Sequence, residues 1–298
     1  MTIYIVLPAF NEEASLPNLL RRFALLSPST LENLRIFIVN DGSTDATKRV
    51  ALENAAGLQL TVVDHPYNMG LGQAVQTGIR AVVDASKQIL RPARSSLRLA
   101  ATIATGESSV QLAQPPGSEL APPSPQPIAG AANHNDLLVI MDADDTHDPQ
   151  LVMNLAAAIE NGADIAIASR FVAGGNDKTA PFFRRLLSRG AAVCFKTVLP
   201  IDRQVNDFTS GFRAYRISLL DRAVSHWGYR LIEESGFACM VELLLKLRFC
   251  KPRIVEVPFR LQYDRKLSTS KIRIVRTIMQ YLKLALRDRI SPPPAREI

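Results

Sequence analysis

Five short apolar, β-branched-rich runs punctuate this chain: Ile3–Leu7, Arg35–Val39, Leu58–Val63, Leu137–Met141 and Ala163–Ala168. Helix-spaced apolar residues follow most of them. Leu16, Leu19, Leu20 and Phe23 succeed the first run, a helix is predicted from Asp45 after the second, from Gly72 to Val83 after the third, and from Pro149 to Ile159 after the fourth. Runs this short and this apolar have no polar face to offer water, so they read as strands buried on both sides. Strands alternating with helices predict an α/β fold with a mainly parallel central sheet flanked by helices. Ligands of such sheets bind beyond the carboxyl ends of the strands.

Polar motifs fall at those ends. Leu7-Pro8-Ala9-Phe10-Asn11-Glu12-Glu13 closes the first run and Val39-Asn40-Asp41-Gly42-Ser43-Thr44-Asp45 closes the second. An acidic residue at a strand end can accept hydrogen bonds from a base or ribose, Gly42 permits a tight turn, and Asp45 can cap a helix. A capped loop with no ligand explains the second motif equally well. Met141-Asp142-Ala143-Asp144-Asp145-Thr146-His147-Asp148-Pro149 closes the fourth run. Side chains alternate along an extended backbone, so Asp142 and Asp144 share one side. Their oxygens suit Mg2+ or Mn2+, with diphosphate oxygens completing the shell. The competing reading is a solvated acidic turn. His147 beside it reads as structural rather than as a ligand.

From about residue 88 to 135 the chain turns rich in Ala, Ser, Pro and Gln, with Pro115-Pro116 and Pro122-Pro123-Ser124-Pro125. We read this as a poorly ordered low-complexity insertion in a single domain spanning 1–270, with 271–298 forming a C-terminal basic amphipathic helix and tail. The formal net charge of +7 suits an anionic partner, whether nucleic acid, phospholipid or phosphorylated substrate. Three scattered cysteines, Cys194, Cys239 and Cys250, support neither a disulfide framework nor a zinc site and point to a reducing cytoplasm. The first residues carry no signal-peptide pattern and no run approaches the ~20 apolar residues of a membrane span. Membrane contact is therefore expected to be peripheral, on the cytoplasmic face.

Taken together, Pro-Ala-Phe-Asn-Glu-Glu, Asn-Asp-Gly-Ser-Thr-Asp, Asn68-Met69-Gly70-Leu71-Gly72, Asp142-Ala143-Asp144 and Asp207-Phe208-Thr209-Ser210-Gly211-Phe212-Arg213 resemble family 2 glycosyltransferases of the GT-A fold. Within that family the chain is similar to dolichyl- and polyprenyl-phosphate sugar transferases. The resemblance implies an inverting, metal-dependent transfer of a hexose from a GDP- or UDP-sugar to a polyprenyl or dolichyl phosphate. By position, Pro8, Ala9, Phe10, Glu12, Val39, Asp41, Asn68 and Gly70 would form the nucleotide-sugar pocket, with Asp41 reading the base. Asp142, Ala143 and Asp144 would hold metal and diphosphate. Arg170 would face the donor, Arg265 and Lys271 would bind phosphates, and Asp207 would act as base or acceptor orienter. Asp207 as a plain turn residue stays open. Three departures stand out: Phe10 for a frequent Tyr, Asn40 for a frequent Asp, and Ser268 where Gly is usual.

Two segments bear on the acceptor. From Ile272 to Ile290 a helical projection places Ile272, Ile274, Val275, Ile278, Met279, Leu282, Ala285 and Leu286 on one side and Arg273, Arg276, Lys283 and Arg287 on the other. That suits a lipid interface, or equally a surface helix packed on the domain. Phe182-Phe183-Arg184-Arg185 could meet acyl chains and headgroups, or the Phe pair could be core. Glu233, Glu234 and Glu242 are expected on one helix after Trp227. A transferase acting on a glycan, glycolipid or small soluble acceptor fits the same motifs. A nucleotidyltransferase would show a glycine-rich basic loop near the first strand, which is absent. A nucleotide-binding module without activity leaves the Asp142–Asp144 pair unexplained, and no interleaving of basic and aromatic residues points to nucleic acid. Whether a separate membrane protein anchors the chain is left open.

Overall fold

The computed structural model describes residues 1–105, 136–179, 182–198, 205–265 and 274–290. In chain order the elements are β1 (Ile3–Ala9), α1 (Leu16–Ala24), α2 (Pro28–Glu32), β2 (Leu34–Asn40), α3 (Thr47–Glu53), β3 (Leu60–Asp64), α4 (Leu71–Thr105), β4 (Leu137–Ile140), α5 (Leu151–Glu160), β5 (Ile165–Ser169), α6 (Phe182–Val198), β6 (Arg213–Arg216), α7 (Ile217–Trp227), α8 (Cys239–Leu247), β7 (Ile254–Pro258) and α9 (Ile274–Ile290).

All seven strands form one sheet in the order β3-β2-β1-β4-β6-β5-β7. β1, β2, β3 and β4 are parallel, β5 pairs with β7 in parallel, and β6 runs antiparallel to both β4 and β5. The sheet is therefore mixed. β6 and β7 were not visible as strands in the sequence, because each is short and carries charged residues in its interior or at its ends. The inverted β6 matters for function. Its amino end, which receives the 207–212 segment, lies at the edge where the parallel strands have their carboxyl ends.

Alternation along β1 sorts the core into two layers. Tyr4 and Val6 join the cluster built by α4, α7, α8 and α9, whereas Ile3, Ile5, Leu7 and Ala9 join the one beneath α1 and α5. Each fully buried Leu, Ile or Phe contributes roughly 1.5–3 kcal/mol relative to exposure, which is why the central strands are so uniformly apolar.

Two expectations change. Helix α4 runs to Thr105, so residues 88–105 of the expected irregular insertion are helical. The stretch is rich in Ala, Leu and Arg, strong helix formers, and the proline clusters begin only later. The remainder of the insertion, 106–135, lies outside the described residues. Glu233 and Glu234 sit in a non-helical segment and only Glu242 is on a helix, α8. Gly228, at φ 55°, terminates α7 directly after Trp227.

Candidate active site at the carboxyl edge of the sheet

The loops after β1 and β2 clasp each other. Asn11 N–H donates to the Ser43 hydroxyl at 3.0 Å, Thr44 N–H to Asn11 Oδ1 at 2.9 Å, Glu12 N–H to the Thr47 hydroxyl at 2.8 Å, and Ala46 N–H to Glu13 Oε2 at 2.8 Å. Asn11 adopts φ 51° to make this possible, a backbone region Asn tolerates better than most residues. The two polar motifs are thus one reciprocal structure. Asn40 accounts for its own departure from Asp: its amide donates to Asp64 Oδ1 at 2.9 Å while its carbonyl accepts from Ser43 N–H at 3.3 Å. A carboxylate at that position could not donate.

Asp41 is buried and organises the next loop. Its Oδ1 accepts from Met69 N–H at 2.9 Å and lies 2.7 Å from His65 Nδ1, and its Oδ2 accepts from Gly70 N–H at 2.9 Å. Gly42, at φ 64°, lets the Tyr67–Asn68 backbone pass over it, since a Cβ there would lie 2.2 Å from the Tyr67 carbonyl carbon. Asp41, Asn68 and Gly70 are therefore brought together as the resemblance implied, but Asp41 spends most of its acceptor capacity on the loop itself. His65 carries no motif signal and was missed. Val39, Ala9 and Ala143 turn their side chains into the core, leaving only backbone for a pocket, while Phe10 is partly exposed and Glu12 buried.

The acidic segment after β4 divides in two. Met141 and Ala143 are buried in the core beneath α1 and α5, whereas Asp142 and Asp144 are only partly buried. Asp144 Oδ1 accepts from the Thr146 hydroxyl at 2.6 Å and from Thr146 N–H at 3.2 Å. At Asp145 the backbone turns left-handed, φ 60°, and the remaining acids face α1. There Arg22 pairs with Asp145 at 2.6 Å and Asp148 at 3.1 Å. His147 is buried against Phe212 and Phe259 at ring distances of 4.9 and 5.2 Å, a packing role.

The 207–212 segment closes the site from the far side. Asp207 has no exposed surface and forms a two-pronged pair with Arg170, Nε to Oδ2 and Nη2 to Oδ1, each 2.8 Å. Arg170 N–H and Ser210 N–H add to it at 3.1 and 3.0 Å. Burial alone would push this carboxyl up; the Arg170 guanidinium and the N–H donors outweigh it and hold the carboxyl below the usual carboxylate range. A carboxylate so enclosed has no face for proton transfer. Glu256 of β7, also missed in the sequence, accepts from the backbone N–H groups of Asn206 and Asp207 at 2.9 and 2.7 Å. At the other end of the segment Gly211 lies against Asp142, whose Oδ1 would sit 3.3 Å from any Cβ placed there.

Arg265 is exposed at the end of a short 3-10 turn. Lys271 and Ser268 lie outside the described residues. Among those described, no third His, Cys, Asp or Glu joins Asp142 and Asp144 in a metal-holding group. The pair nonetheless fits Mg2+ or Mn2+ by its donor chemistry, because such ions are commonly held by one or two carboxylates and complete their shell with diphosphate oxygens and water.

Helices α6 and α9 are exposed in part. Phe182 and Leu186 of α6 are 70% and 57% exposed, so Phe182 is not core; the Phe183 and Arg184 side chains lie outside the described residues. In α9 the described residues of the projected apolar side are mostly exposed, with Ala285 buried, and Tyr281 and Leu284, outside that projection, join the core instead. Tyr281 lies edge-on to Phe195 at 5.0 Å, whereas Met279, Leu282 and Leu286 are 60%, 52% and 60% exposed. Arg287 does not share the outer basic side expected of it but turns inward to Glu242. No helix among the described residues is long and apolar enough to cross a membrane. Cys239 is fully buried, its thiol pushed up chiefly by that burial, and packs as a small apolar group.

A mixed seven-stranded sheet flanked by helices, with paired loops and an Asp-Ala-Asp run at its carboxyl edge, is the GT-A architecture of nucleotide-sugar transferases. The glycosyl transferase family 2 profile matches residues 4–85 and 130–223, and the chain belongs to that family. It is 30% identical over 285 residues to a dolichol-phosphate mannosyltransferase of Pyrococcus furiosus, covering 95% of this chain and 62% of that protein. It therefore spans under two thirds of that relative's length. It is 25% identical over 270 residues to a polyprenol monophosphomannose synthase of Mycolicibacterium smegmatis, covering 90% of this chain and 80% of the relative. An undecaprenyl-phosphate mannosyltransferase of Micrococcus luteus is 27% identical over 273 residues, 91% and 88% of the two chains. Among solved structures, glucosyl-3-phosphoglycerate synthase from Mycobacterium tuberculosis, in complex with Mn2+, UDP and glucosyl-3-phosphoglycerate, superposes with a TM-score of 0.58 at 16% identity, covering 99% of this chain and 81% of that one. This last likeness is one of fold.

Proposed function

We propose that this chain moves a hexose, mannose in the named relatives, from a GDP- or UDP-sugar to a polyprenyl phosphate at the cytoplasmic surface of a membrane. The observation that carries the reading is Asp142, two residues from Asp144, lying against the Gly211 end of a segment whose other end is fixed by Asp207 and Arg170. Asp142 and Asp144 would hold Mg2+ or Mn2+, which supplies charge stabilisation to the departing nucleoside diphosphate. The clasped loops around Phe10, Asp41, Asn68 and Gly70 hold the nucleoside. Arg170, kept rigid by Asp207, presents its cationic edge toward the donor.

A phosphate acceptor is already anionic at neutral pH, so attack with inversion at the anomeric carbon needs no strong base. That agrees with an Asp207 carboxylate committed to Arg170. The acceptor meets the enzyme at a lipid surface, which the exposed Phe182 and Leu186 of α6 and Met279, Leu282 and Leu286 of α9 would touch.

The test is a donor screen with Mn2+ or Mg2+ and a short polyprenyl phosphate, following lipid-linked product. Product on the lipid phosphate supports the reading. Transfer only to a soluble sugar or glycan acceptor overturns the acceptor and keeps the chemistry; donor binding without any transfer overturns both.

A further inference from the structure

Glu242 is 1% exposed yet meets four partners from three parts of the chain. Its Oε2 accepts from the backbone N–H groups of Glu233 and Glu234 at 2.9 and 2.8 Å. Its Oε1 accepts from Arg287 of α9 at 2.7 Å and faces Lys246 Nζ at 3.1 Å. Lys246, itself 3% exposed, also bonds Glu233 Oε2 at 2.9 Å and the Arg230 carbonyl. The non-helical 231–236 segment is thereby tied to α8 and α9. Gln280 of α9 adds a packing contact, its amide oxygen lying 2.6 Å from where a Cβ on Gly236 would be.

The opposite side of that segment lies along the start of α4. Gln76 bonds both the Tyr229 carbonyl, at 3.0 Å, and Ile232 N–H, at 2.8 Å. Gly72 N–H donates to the Ser235 carbonyl at 3.2 Å. The approach is so close that a Cβ on Gly72 would meet the Glu234 carbonyl at 1.8 Å, and one on Gly70 the Ser235 carbonyl at 2.5 Å. Gly70 N–H in turn donates to Asp41. Hydrogen bonds joined by short stretches of backbone therefore lead from Arg287 through Glu242, residues 234–235 and Gly72–Gly70 to the Asp41 carboxylate.

We propose that Arg287 is a positioning residue for the nucleotide site, acting through Glu242 on the 233–236 segment that holds Gly70 and Gly72 in place. This rests on the reading of the Asp41–Gly72 region as the nucleoside pocket. Without the guanidinium, Glu242 keeps Lys246 and the two backbone N–H donors but loses its ion pair to α9, so the 233–236 segment loses its charged tie to that helix. The 70–72 turn has Ser235 directly behind it, so a shift there is transmitted by steric contact rather than through a long flexible path.

The experiment uses the full chain and compares Arg287→Gln, Arg287→Lys and Gln280→Ala with the unaltered protein. Calorimetry with UDP and with GDP in Mn2+ gives nucleotide affinity, steady-state assays separate the KM values of donor and acceptor, and hydrogen exchange reports the amides of residues 69–72. Arg287→Gln is expected to weaken nucleotide binding and raise donor KM about fivefold or more, speed exchange at 69–72, and leave acceptor KM within about twofold. Arg287→Lys, which keeps a cation for Glu242, should recover most of the loss, and Gln280→Ala should show a smaller change of the same kind. Wild-type nucleotide affinity and exchange in Arg287→Gln, or an equal rise of donor and acceptor KM, overturns the proposal. If Arg287→Gln does not fold, Gln280→Ala decides alone: exchange at 69–72 and donor KM both unchanged overturn it. Nucleotide that fails to bind the unaltered chain overturns the functional reading instead, whereas exchange at 69–72 still tests the mechanical link.

Discussion

His65 Nδ1 lies 2.7 Å from Asp41 Oδ1, and His65 Nε2 lies 2.9 Å from the Thr77 hydroxyl. Both ring nitrogens are within hydrogen-bond distance of a partner, one on the strand-end loop and one on α4. The imidazole thus braces Asp41 from behind while Met69 and Gly70 hold it from the loop.

His65→Ala is expected to destabilise the fold by about 1.5–3 kcal/mol, the range for hydrogen bonds to charged groups. It should also raise donor KM, because Asp41 gains freedom to move. Urea denaturation and steady-state kinetics check the two effects; unchanged values for both would show the brace to be idle.

Asp144→Asn and Asp142→Asn should each abolish metal-dependent transfer, since the amide removes the anionic oxygen that a hard cation requires. Both variants should keep their fold, as neither residue anchors the core. Calorimetric titration with Mn2+ in the presence of UDP or GDP checks this. Mn2+ binding and transfer at wild-type levels in either variant would remove that residue from the site.

Asp207→Asn leaves the Arg170 guanidinium without its two-pronged partner. Breaking a buried pair from one side costs about 3 kcal/mol or more. The pH dependence has a definite sign. Because the folded carboxyl sits below its ordinary value, its stabilisation is complete above about pH 4 and fades as pH falls through the lower folded value. The urea midpoint of Asp207→Asn should therefore depend less on pH than that of the unaltered chain across the acid range. Parallel curves for the two proteins would contradict the assignment.

Glycines separate sharply by surroundings. Gly42→Ala places a methyl 2.2 Å from the Tyr67 carbonyl carbon at a positive φ and should cost about 2 kcal/mol or more. Gly190→Ala meets nothing within 4 Å and lies in α6, so it should stabilise by roughly 1 kcal/mol. Thermal or chemical denaturation of the two variants would show opposite signs.

Leu282→Asp combined with Leu286→Asp should remove binding to anionic phospholipid vesicles while nucleotide affinity remains. Both side chains are more than half exposed, and an acidic residue on that face opposes an anionic surface. Sedimentation with vesicles measures the first property and calorimetry the second; vesicle binding at wild-type strength would move the lipid contact away from α9.

Much of the site was legible because its residues are local. Strand ends, glycine turns and the capping of the loops all follow from residues near each other in the chain. The Arg22 partnership of Asp145 and Asp148 was not legible, because it bridges from α1 to the loop after β4. Nor was the inward turn of Arg287, since a helical projection separates apolar from polar positions without saying which neighbour a charge will meet. Asp207 carried its motif openly, yet its commitment to Arg170 appears only where β5 and β6 lie side by side.

The amino-acid sequence by itself determined the parallel core, the family and the positions of the acidic and glycine motifs, since periodicity and turn chemistry act within a few residues. The tertiary structure alone decided the reversal of β6, the pairing of Asp145 and Asp148 with Arg22, and the link from α9 to Asp41. Those outcomes depend on burial and on contacts between residues far apart in sequence, where the energy of a charge is set by whatever the fold brings beside it.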